Sequence, residues 1–360
     1  KLDLLALDNI TLINKTCRLL GIERLNPNNV PDDEKVWKSI RDNTLGIFQW
    51  EGTGENYIKD LFSDETIANV KKYNFKYIDL FSVGNGAIRP AGASYREQLS
   101  KGIFKDNGHK ALNEFLSPTL GYLVYQEQII EFLNKFCGFT MGEADIVRRG
   151  FAKKTGTEQY IPKIKEGFAK TMKDKYGVPK EESNKIIIDF LQVIEDASDY
   201  LFSLNHSQAY SYIGYICGYL RYYHPLEFLT TMFNIIHKDD LDKTKKIVSY
   251  TEEHNIKLKN VKFRYSKGEY FMDKETNSIY KGISSIKFVS KNAGEILYNL
   301  KDNNYDTFID LLIDMGNKIN NKNIDILIRL NYFEEFGTIP KLLKVHELYQ
   351  EFNGKKQISK

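Results

Sequence analysis

Residues 126–154 contain two helical patterns joined by a sharp corner, and this stretch constrains the fold more than any other. In residues 126–137 apolar side chains recur at three- and four-residue spacing, which predicts a helix with one buried face. Gly138 follows as a helix stop, because glycine adopts left-handed backbone angles at the lowest cost. Thr140 and Glu143 then form the S/T-x-x-E pattern of a capping box. The sequence therefore predicts two consecutive helices with a defined corner between them.

The second of these helices carries a row of cations beside one carboxylate. The charged residues are Asp145, Arg148, Arg149, Lys153 and Lys154. One interpretation is a solvated helix end, since the helix dipole favours cations near the C-terminus. The other is a phosphate-binding row, because the arginine fork donates two parallel hydrogen bonds to phosphate oxygens. Gly150 lies within this helix, where it costs about 1 kcal/mol relative to alanine. That cost favours a close approach by protein or ligand at this point.

Composition limits the function classes. The chain has 360 residues, enough for two or three modest domains, and its net charge is only +3. Any nucleic-acid contact must therefore be local. The three cysteines form no C-x-x-C pair, which favours a reduced, cytoplasmic protein without zinc or disulfides. No apolar run reaches the length of a membrane span, and no signal peptide is visible. Because the first residue is lysine, we expect the chain to be a piece of a longer protein.

The stretch around the corner resembles the fingers region of the family C replicative DNA polymerases of bacteria. In that family a Y-Q-E-Q helix start is followed by G-[FY]-[ST]-x-G-x-A-D and then by R-R-A-M-G-K-K. The matching residues here are Tyr125, Gln126, Glu127, Gln128, Gly138, Gly142, Ala144, Asp145, Arg148, Arg149, Lys153 and Lys154. The family's last glycine is displaced to Gly150 in this chain. The resemblance implies that the two arginines and two lysines bind the triphosphate of an incoming nucleotide.

The first seven residues read as a buried strand that carries one acid. Asp3 among apolar residues either points to solvent or is paired or metal-bound, because an isolated buried carboxylate is costly. Lys1 and Asp3 also match the K-x-D-x-L-G-L run at the end of the family's palm. The resemblance implies that Asp3 is a Mg²⁺ ligand and that Lys1 lies on the triphosphate side. The family's other two metal-binding acids have no counterpart in this chain.

Two further segments resemble the family. Residues 87–92 are similar to its R-P-G loop, which makes Arg89 a candidate for a phosphate or base contact. Residues 201–225 resemble its F-N-K-S-H helix, whose Asn and His lie near the incoming nucleotide. His206 matches that histidine, whereas Ser203 stands at the Asn position. Without the resemblance, a surface turn and a satisfied structural histidine are the ordinary interpretations.

These observations predict a mainly α fold. We expect the end of a palm at residues 1–21, with a short strand and then a helix, and a multi-helix fingers domain at residues 22–237. Residues 238–360 should form a small β-hairpin or meander, with strands near residues 261–265, 270–272 and 278–280, and then helices. The last region resembles a helix-hairpin-helix unit, but Phe288 and Ser290 replace the glycines of its G-V-G turn. Plain packing is therefore the preferred role of that turn.

The expected function is nucleotidyl transfer in DNA replication. The implied partners are dNTP and primer-template DNA, with a sliding clamp and other replisome subunits reached through regions outside this chain, and no membrane. Two Mg²⁺ ions usually clamp the attacking and leaving oxygens in this chemistry. Since only one acid of that centre is present, we expect no polymerase activity from this chain alone. The alternatives are a non-catalytic helical nucleic-acid-binding module and a pure interaction scaffold.

Overall fold

The computed structural model describes residues 7–52, 54–73, 75–88, 95–198, 201–236 and 240–355. Eighteen α-helices and one three-stranded sheet lie in these ranges, which confirms the predicted mainly α fold. The described residues form two compact units. One unit spans Leu25–Tyr222, and the other combines the first helix with the chain from Tyr223 onward.

The regular elements of the Leu25–Tyr222 unit are helices within its described residues, and one isolated β-bridge joins Tyr125 and Phe202. Its helices are α2 (Glu34–Asp42), α3 (Glu55–Leu61), α4 (Asp64–Lys71), α5 (Tyr77–Ala87), α6 (Arg96–Ser100), α7 (Lys110–Phe115), α8 (Gln126–Cys137), α9 (Met141–Lys153), α10 (Ile161–Tyr176), α11 (Lys180–Ser198) and α12 (Leu204–Tyr223).

The corner between α8 and α9 forms as predicted. Gly138 ends α8 with φ 74°, in the left-handed region that favours glycine. Thr140 then caps α9, and its capping box with Glu143 is complete. The apolar face of α8 enters a core shared with α9, α10 and α11, in which Phe132, Phe168 and their neighbours are buried. The local signals at the corner therefore fix where the chain turns from α8 to α9 within this core.

A second core in the same unit is built from aromatic rings. Trp37 of α2 stacks on Tyr215 of α12 with ring centroids 4.3 Å apart, and Trp50 stacks on Phe81 of α5 at 4.8 Å. Arg221 of α12 is fully buried here, and its guanidinium donates to the backbone oxygens of Leu45 and Ser39 at 2.7 and 2.8 Å. These bonds supply partners for a charge that would otherwise be costly to bury.

The other unit contains the first helix of the chain, the three-stranded sheet and the C-terminal helices. Its elements are α1 (Asp8–Leu20), α13 (Pro225–Ile235), α14 (Leu241–Glu253), β1 (Lys257–Lys259), β2 (Phe271–Asp273), β3 (Ser278–Tyr280), α15 (Lys291–Asn299), α16 (Phe308–Met315), α17 (Asn321–Arg329) and α18 (Ile339–Phe352). Helix α1 packs on α13, and α15–α18 share one apolar core.

The sheet confirms the predicted hairpin but not the meander. Strands β2 and β3 pair antiparallel, whereas β1 lies parallel to β3, in the order β1-β3-β2. The predicted strand at residues 261–265 is wrong. This segment forms a turn that buries Val261 and Phe263, with Arg264 at φ 72°, so its alternation comes from core packing. At the start of α1, Leu7 is the N-cap residue and Asp8 is the first residue of the helix.

In the helix-hairpin-helix-like region, one residue of the predicted turn is exposed and does not pack in the core. Phe288, at a glycine position of the family pattern, adopts φ 69° and has a side chain that is 67% exposed. Asn323 donates from Nδ2 to its carbonyl oxygen at 2.8 Å, which holds the strained backbone. Ser290, at the other glycine position, caps α15 instead.

Several predictions fall outside the described residues. They are the strand at the start of the chain, Lys1, Asp3 and Arg89. The three predicted domains also stay a prediction, because the compact units are defined by packing and not by role. Within the described ranges, no helix is both long and apolar enough to cross a membrane. Cys17, Cys137 and Cys217 are buried, and none of the three is in a disulfide bond.

The packing of α10 on α8 depends on a glycine. A Cβ at Gly167 would lie 2.1 Å from the carbonyl oxygen of Cys137, so Gly167→Ala must push the two helices apart. We expect a loss of about 1–3 kcal/mol in unfolding free energy, measured by urea denaturation. Gly142 of α9 is the matched control, because a Cβ there meets nothing within 4 Å. Gly142→Ala should raise stability by about 0.5–1 kcal/mol. Equal effects of the two substitutions would contradict the close approach.

The capping box of α9 makes stability depend on acidic pH. Hydrogen bonds from the Thr140 backbone amide, Lys163 and the Thr140 hydroxyl lower the pKa of Glu143 to about 2. Its contribution is therefore complete above the ordinary value near 4.5 and is lost as pH falls through the folded value. We expect wild type to exceed Glu143→Gln in urea midpoint at pH 7 and to lose that advantage between pH 4.5 and 2. A difference that stays constant over this range would contradict the assigned bonds.

Candidate functional site

Arg148 is the anchored member of the cation row on α9. Its guanidinium bonds to Asp145 Oδ1 at 3.0 Å from Nε and 2.9 Å from Nη2, and Nη1 donates to Gln126 Oε1 at 3.2 Å. The side chain is only 18% exposed. Since Gln126 is the first residue of α8, these bonds tie the middle of α9 to the start of α8.

The other cations of the row face solvent. Arg149 bonds to Asp145 Oδ2 at 2.5 Å, yet its side chain is 65% exposed. Lys153 and Lys154 are exposed at the C-terminal end of the helix, where Lys154 ends it with φ 52°. Partial burial alone would raise the pKa of Asp145, but the bonds and charges of the two arginines outweigh it and lower that pKa. Asp145 therefore stays ionised and holds both guanidinium groups.

The start of α12 is tied to the same end of α8. Glu127 Oε1 accepts from the Ser203 hydroxyl and Oε2 accepts from the Leu204 amide, both at 2.9 Å. The carboxylate thus satisfies free donors at the N-terminus of α12 and complements the helix dipole. His206 lies in the first turn of α12, with its ring 3.7 Å from that of Tyr210. Tyr210 also packs edge-on against the ring of Phe48, with centroids 4.8 Å apart.

The remaining residues of the Y-Q-E-Q segment, Tyr125 and Gln128, form hydrogen bonds within the protein. Gln128 Oε1 accepts from the amides of Val124 and Tyr125 at 2.8 and 2.9 Å, which closes the N-terminus of α8. The hydroxyl of Tyr125 lies 3.1 Å from Ser82 Oγ, and burial raises the pKa of Tyr125 to about 12. A backbone bridge completes the junction, because the Gln126 amide donates to the Phe202 oxygen at 3.0 Å.

The structure therefore brings together predicted site residues from two distant segments. Arg148 contacts Gln126, and Ser203 contacts the adjacent Glu127, so the cation row and the first turn of α12 meet at one helix end. Sequence reasoning placed Gln126 and Glu127 in the family pattern but gave them no role. No local pattern gave that role, because their partners lie 22 and 76 residues away in the sequence.

Gly150 has a structural explanation within the chain. A Cβ there would lie 3.1 Å from Thr157 Cγ2 and 3.3 Å from the Thr155 oxygen. The close approach expected from the sequence is thus made by the segment that follows α9. The glycine is no evidence for a ligand.

A cleft of about 400 Å³ lies behind Tyr125 in the same unit. Among the described residues that line it, the charged ones are Asp79 and Glu131, and burial raises the pKa of Asp79. Because a pair of carboxylates repels phosphate, this cleft is unsuited to a triphosphate. Sequence reasoning missed it, since its wall is assembled from α5, α8 and α12.

The described residues do not fit a magnesium centre. Among them, no group of three or more His, Cys, Asp or Glu side chains is arranged to hold a metal ion. Asp3, the predicted metal ligand, lies outside the described ranges. The role of Asp3 therefore stays a prediction.

Comparison with known proteins agrees with the expected family. Residues 94–176 match the model of the bacterial DNA polymerase III alpha subunit finger domain. The chain is 29% identical to the DNA polymerase III subunit alpha of Ureaplasma parvum, over 98% of this chain and 35% of that protein. The proteins of the same name from Campylobacter jejuni and Escherichia coli are 30% and 28% identical, over 95% and 94% of this chain.

The chain spans only a part of these relatives. It covers 28% of the Campylobacter protein and 29% of the Escherichia protein. The matched finger-domain residues include α8, α9 and α10, which carry the cation row and its anchors. Over nearly its whole length the chain is therefore similar to a part of the bacterial DNA polymerase III alpha subunit, and residues 94–176 match the finger domain of that family.

Proposed function

We propose that this chain forms the nucleotide-binding part of a replicative DNA polymerase. In this role Arg148, Arg149, Lys153 and Lys154 bind the triphosphate of the incoming dNTP, with Ser203 and His206 beside them. Primer-template DNA is the second substrate, and the reaction is template-directed nucleotidyl transfer in the bacterial cytoplasm. Contacts with a sliding clamp and other replisome subunits would come from regions outside this chain.

The convergence at the start of α8 carries this proposal. Two segments that resemble the family's nucleotide-binding motifs, and are separated by more than fifty residues, are tied to adjacent residues, Gln126 and Glu127. A solvated helix end would need no such anchoring. An exposed row of cations held by an anchored arginine supports a binding surface for a polyanion.

In this proposal the two arginines have different roles, since Arg148 mainly holds the helix in place and Arg149 mainly binds phosphate. Arg148 already has three bonds and little exposure, so it orients the helix and stabilises Asp145. Arg149 has one exposed ion pair, and such pairs contribute only about 0–1 kcal/mol. A phosphate oxygen can therefore take over the Arg149 guanidinium at little cost. Lys153 lies one turn further along the same face and can reach the next phosphate as a point charge.

Magnesium belongs to the proposal only through Asp3. A carboxylate at that position suits the oxygen preference of Mg²⁺, and the ion would supply charge stabilisation of the phosphates. The described residues offer no complete set of ligands. A complete centre would need acids beyond those that the described residues bring together.

The division of work between the arginines predicts different effects of two substitutions. We expect Arg149→Ala to reduce photocrosslinking of a labelled dNTP to the α9 peptide roughly tenfold, with unfolding free energy changed by less than about 1 kcal/mol. Arg148→Ala should reduce crosslinking as much and also destabilise the fold by about 1–3 kcal/mol, because Asp145 and Gln126 lose a half-buried partner.

Arg329→Ala is the matched control for Arg149→Ala. Its side chain is 63% exposed and pairs with Asp325 four residues earlier, as Arg149 pairs with Asp145. It should leave dNTP crosslinking unchanged. If charge reversal at both Arg148 and Arg149 left crosslinking intact, the nucleotide site would be elsewhere. Salt-sensitive DNA binding without any dNTP crosslink would favour the non-catalytic binding module.

The incomplete set of acids predicts catalytic inactivity. We expect the isolated 360-residue chain to show no magnesium-dependent extension of a primer on a template, because two-metal transfer needs more than one carboxylate. A gel assay with labelled primer measures this directly. Extension above the level of an Asp3→Asn control would show that the chain carries a complete catalytic centre.

A further inference from the structure

One face of the small sheet carries a row of aromatic rings and a lysine. Residues paired in register point to the same side of a sheet, and Lys259, Tyr280 and Phe271 are paired across β1, β3 and β2. The rings of Tyr280 and Phe271 stack with centroids 4.9 Å apart and planes within 9°. The opposite face, with the fully buried Ile279 of β3, is turned inward.

Tyr265 extends this row into a ladder of three nearly parallel rings. It comes from the turn that precedes β2 and stacks on Tyr280 at 5.9 Å, with planes within 8°. The side chain is 49% exposed, so the end of the ladder is open to solvent. We define the aromatic ladder as Tyr265, Tyr280 and Phe271.

The turn that presents Tyr265 is firmly anchored. Phe263 is buried, and its amide donates to the Tyr332 oxygen at 2.8 Å. Arg264 Nε donates to both oxygens of Glu335 at 2.8 and 3.0 Å. The backbone around the exposed ring is thus fixed before any ligand arrives, which lowers the entropy cost of binding.

Lysines border the ladder. Lys262 lies with Nζ 5.6 Å from the Tyr265 ring, and Lys267 lies with Nζ 5.0 Å from the Phe271 ring. Lys259 and Lys262 also line a groove of about 450 Å³ together with Tyr265 and Tyr280. The carboxylate in this groove, Glu334, is already paired with Lys262 at 2.6 Å.

We propose that the aromatic ladder and its lysines form a binding surface for single-stranded nucleic acid. Bases stack on exposed aromatic rings, and the backbone phosphates then follow neighbouring cations. The nearly parallel rings allow a base to continue the stack at Tyr265, and Lys259 and Lys262 lie where phosphates would run. A duplex buries its bases in its own stack and cannot use the ladder. The net charge of the chain is only +3, so cations are not in excess over its whole surface. A local group of lysines beside exposed rings is therefore a more specific sign of nucleic-acid binding.

The surface is independent of the proposed dNTP site. It lies in the other compact unit and uses none of the residues of α9. A single strand bound here could be a DNA template or an RNA. Bases of DNA and of RNA stack on aromatic rings in the same way, and the experiment below distinguishes the two strands.

Fluorescence anisotropy with labelled dT10, rU10 and a DNA duplex tests this surface in the full 360-residue chain. Tyr265→Ala should weaken binding of dT10, rU10 or both by roughly 5- to 150-fold, whereas Tyr265→Phe keeps the stack and the affinity. Loss with one polymer alone identifies the strand that the surface takes. Lys259→Glu should also weaken binding and make the salt dependence shallower.

Two controls match these substitutions in the other unit. Tyr176→Ala removes a tyrosine of similar exposure, 46%, and Lys110→Glu makes the same change of charge. Neither should alter single-strand affinity. An oligonucleotide with 5-iodouracil should crosslink to the peptide that contains Tyr265, separately from any dNTP crosslink to α9. Absence of single-strand binding, or equal affinity of wild type and Tyr265→Ala together with no such crosslink, would overturn the proposal.

Discussion

The hydrogen bonds of the Glu127 carboxylate are the interaction on which the arrangement of α8, α9 and α12 depends. The carboxylate accepts from Ser203 and the Leu204 amide, and so joins the start of α8 to the start of α12 across seventy-six residues of sequence. The adjacent Gln126 holds Arg148 of α9. Three helices therefore share one polar junction, in which the Leu204 amide at the start of α12 gains an acceptor that the helix itself would not supply. Loss of the junction would free the first turn of α12 and the cation row together.

Local signals made much of this fold predictable. Gly138, Thr140 and Glu143 act within a few residues of each other, so their pattern alone predicted the corner between α8 and α9. The partners of Gln126 and Glu127 are remote in sequence, and no local pattern identifies them. The same limit applies to β1, a strand of three residues that exists because it pairs with β3. Residues 261–265 alternate like a strand, but the alternation records which side chains enter the helical core.

The candidate site was predictable to a different degree. Spacing placed Asp145 and Arg149 on one helix face, and the structure joins them. Spacing could not show that Arg148 turns toward α8 and becomes half-buried, because that depends on where α8 begins in space. At Gly150 the sequence predicted a close approach but could not show which atoms make it. In the structure Thr155 and Thr157 of the same chain approach this glycine.

The two proposed binding surfaces have the same kind of anchoring. In each, an arginine with several partners fixes the backbone beside an exposed residue that is left available to a ligand. Arg148 does this beside Arg149, and Arg264 does it beside Tyr265. An exposed side chain on a mobile loop would lose conformational entropy on binding, at a cost of about 0.5–1.5 kcal/mol per ordered side chain plus that of its backbone. Anchoring the neighbour removes the backbone part of this cost during folding, and it leaves the exposed group free to exchange water or a weak ion pair for a phosphate or a base.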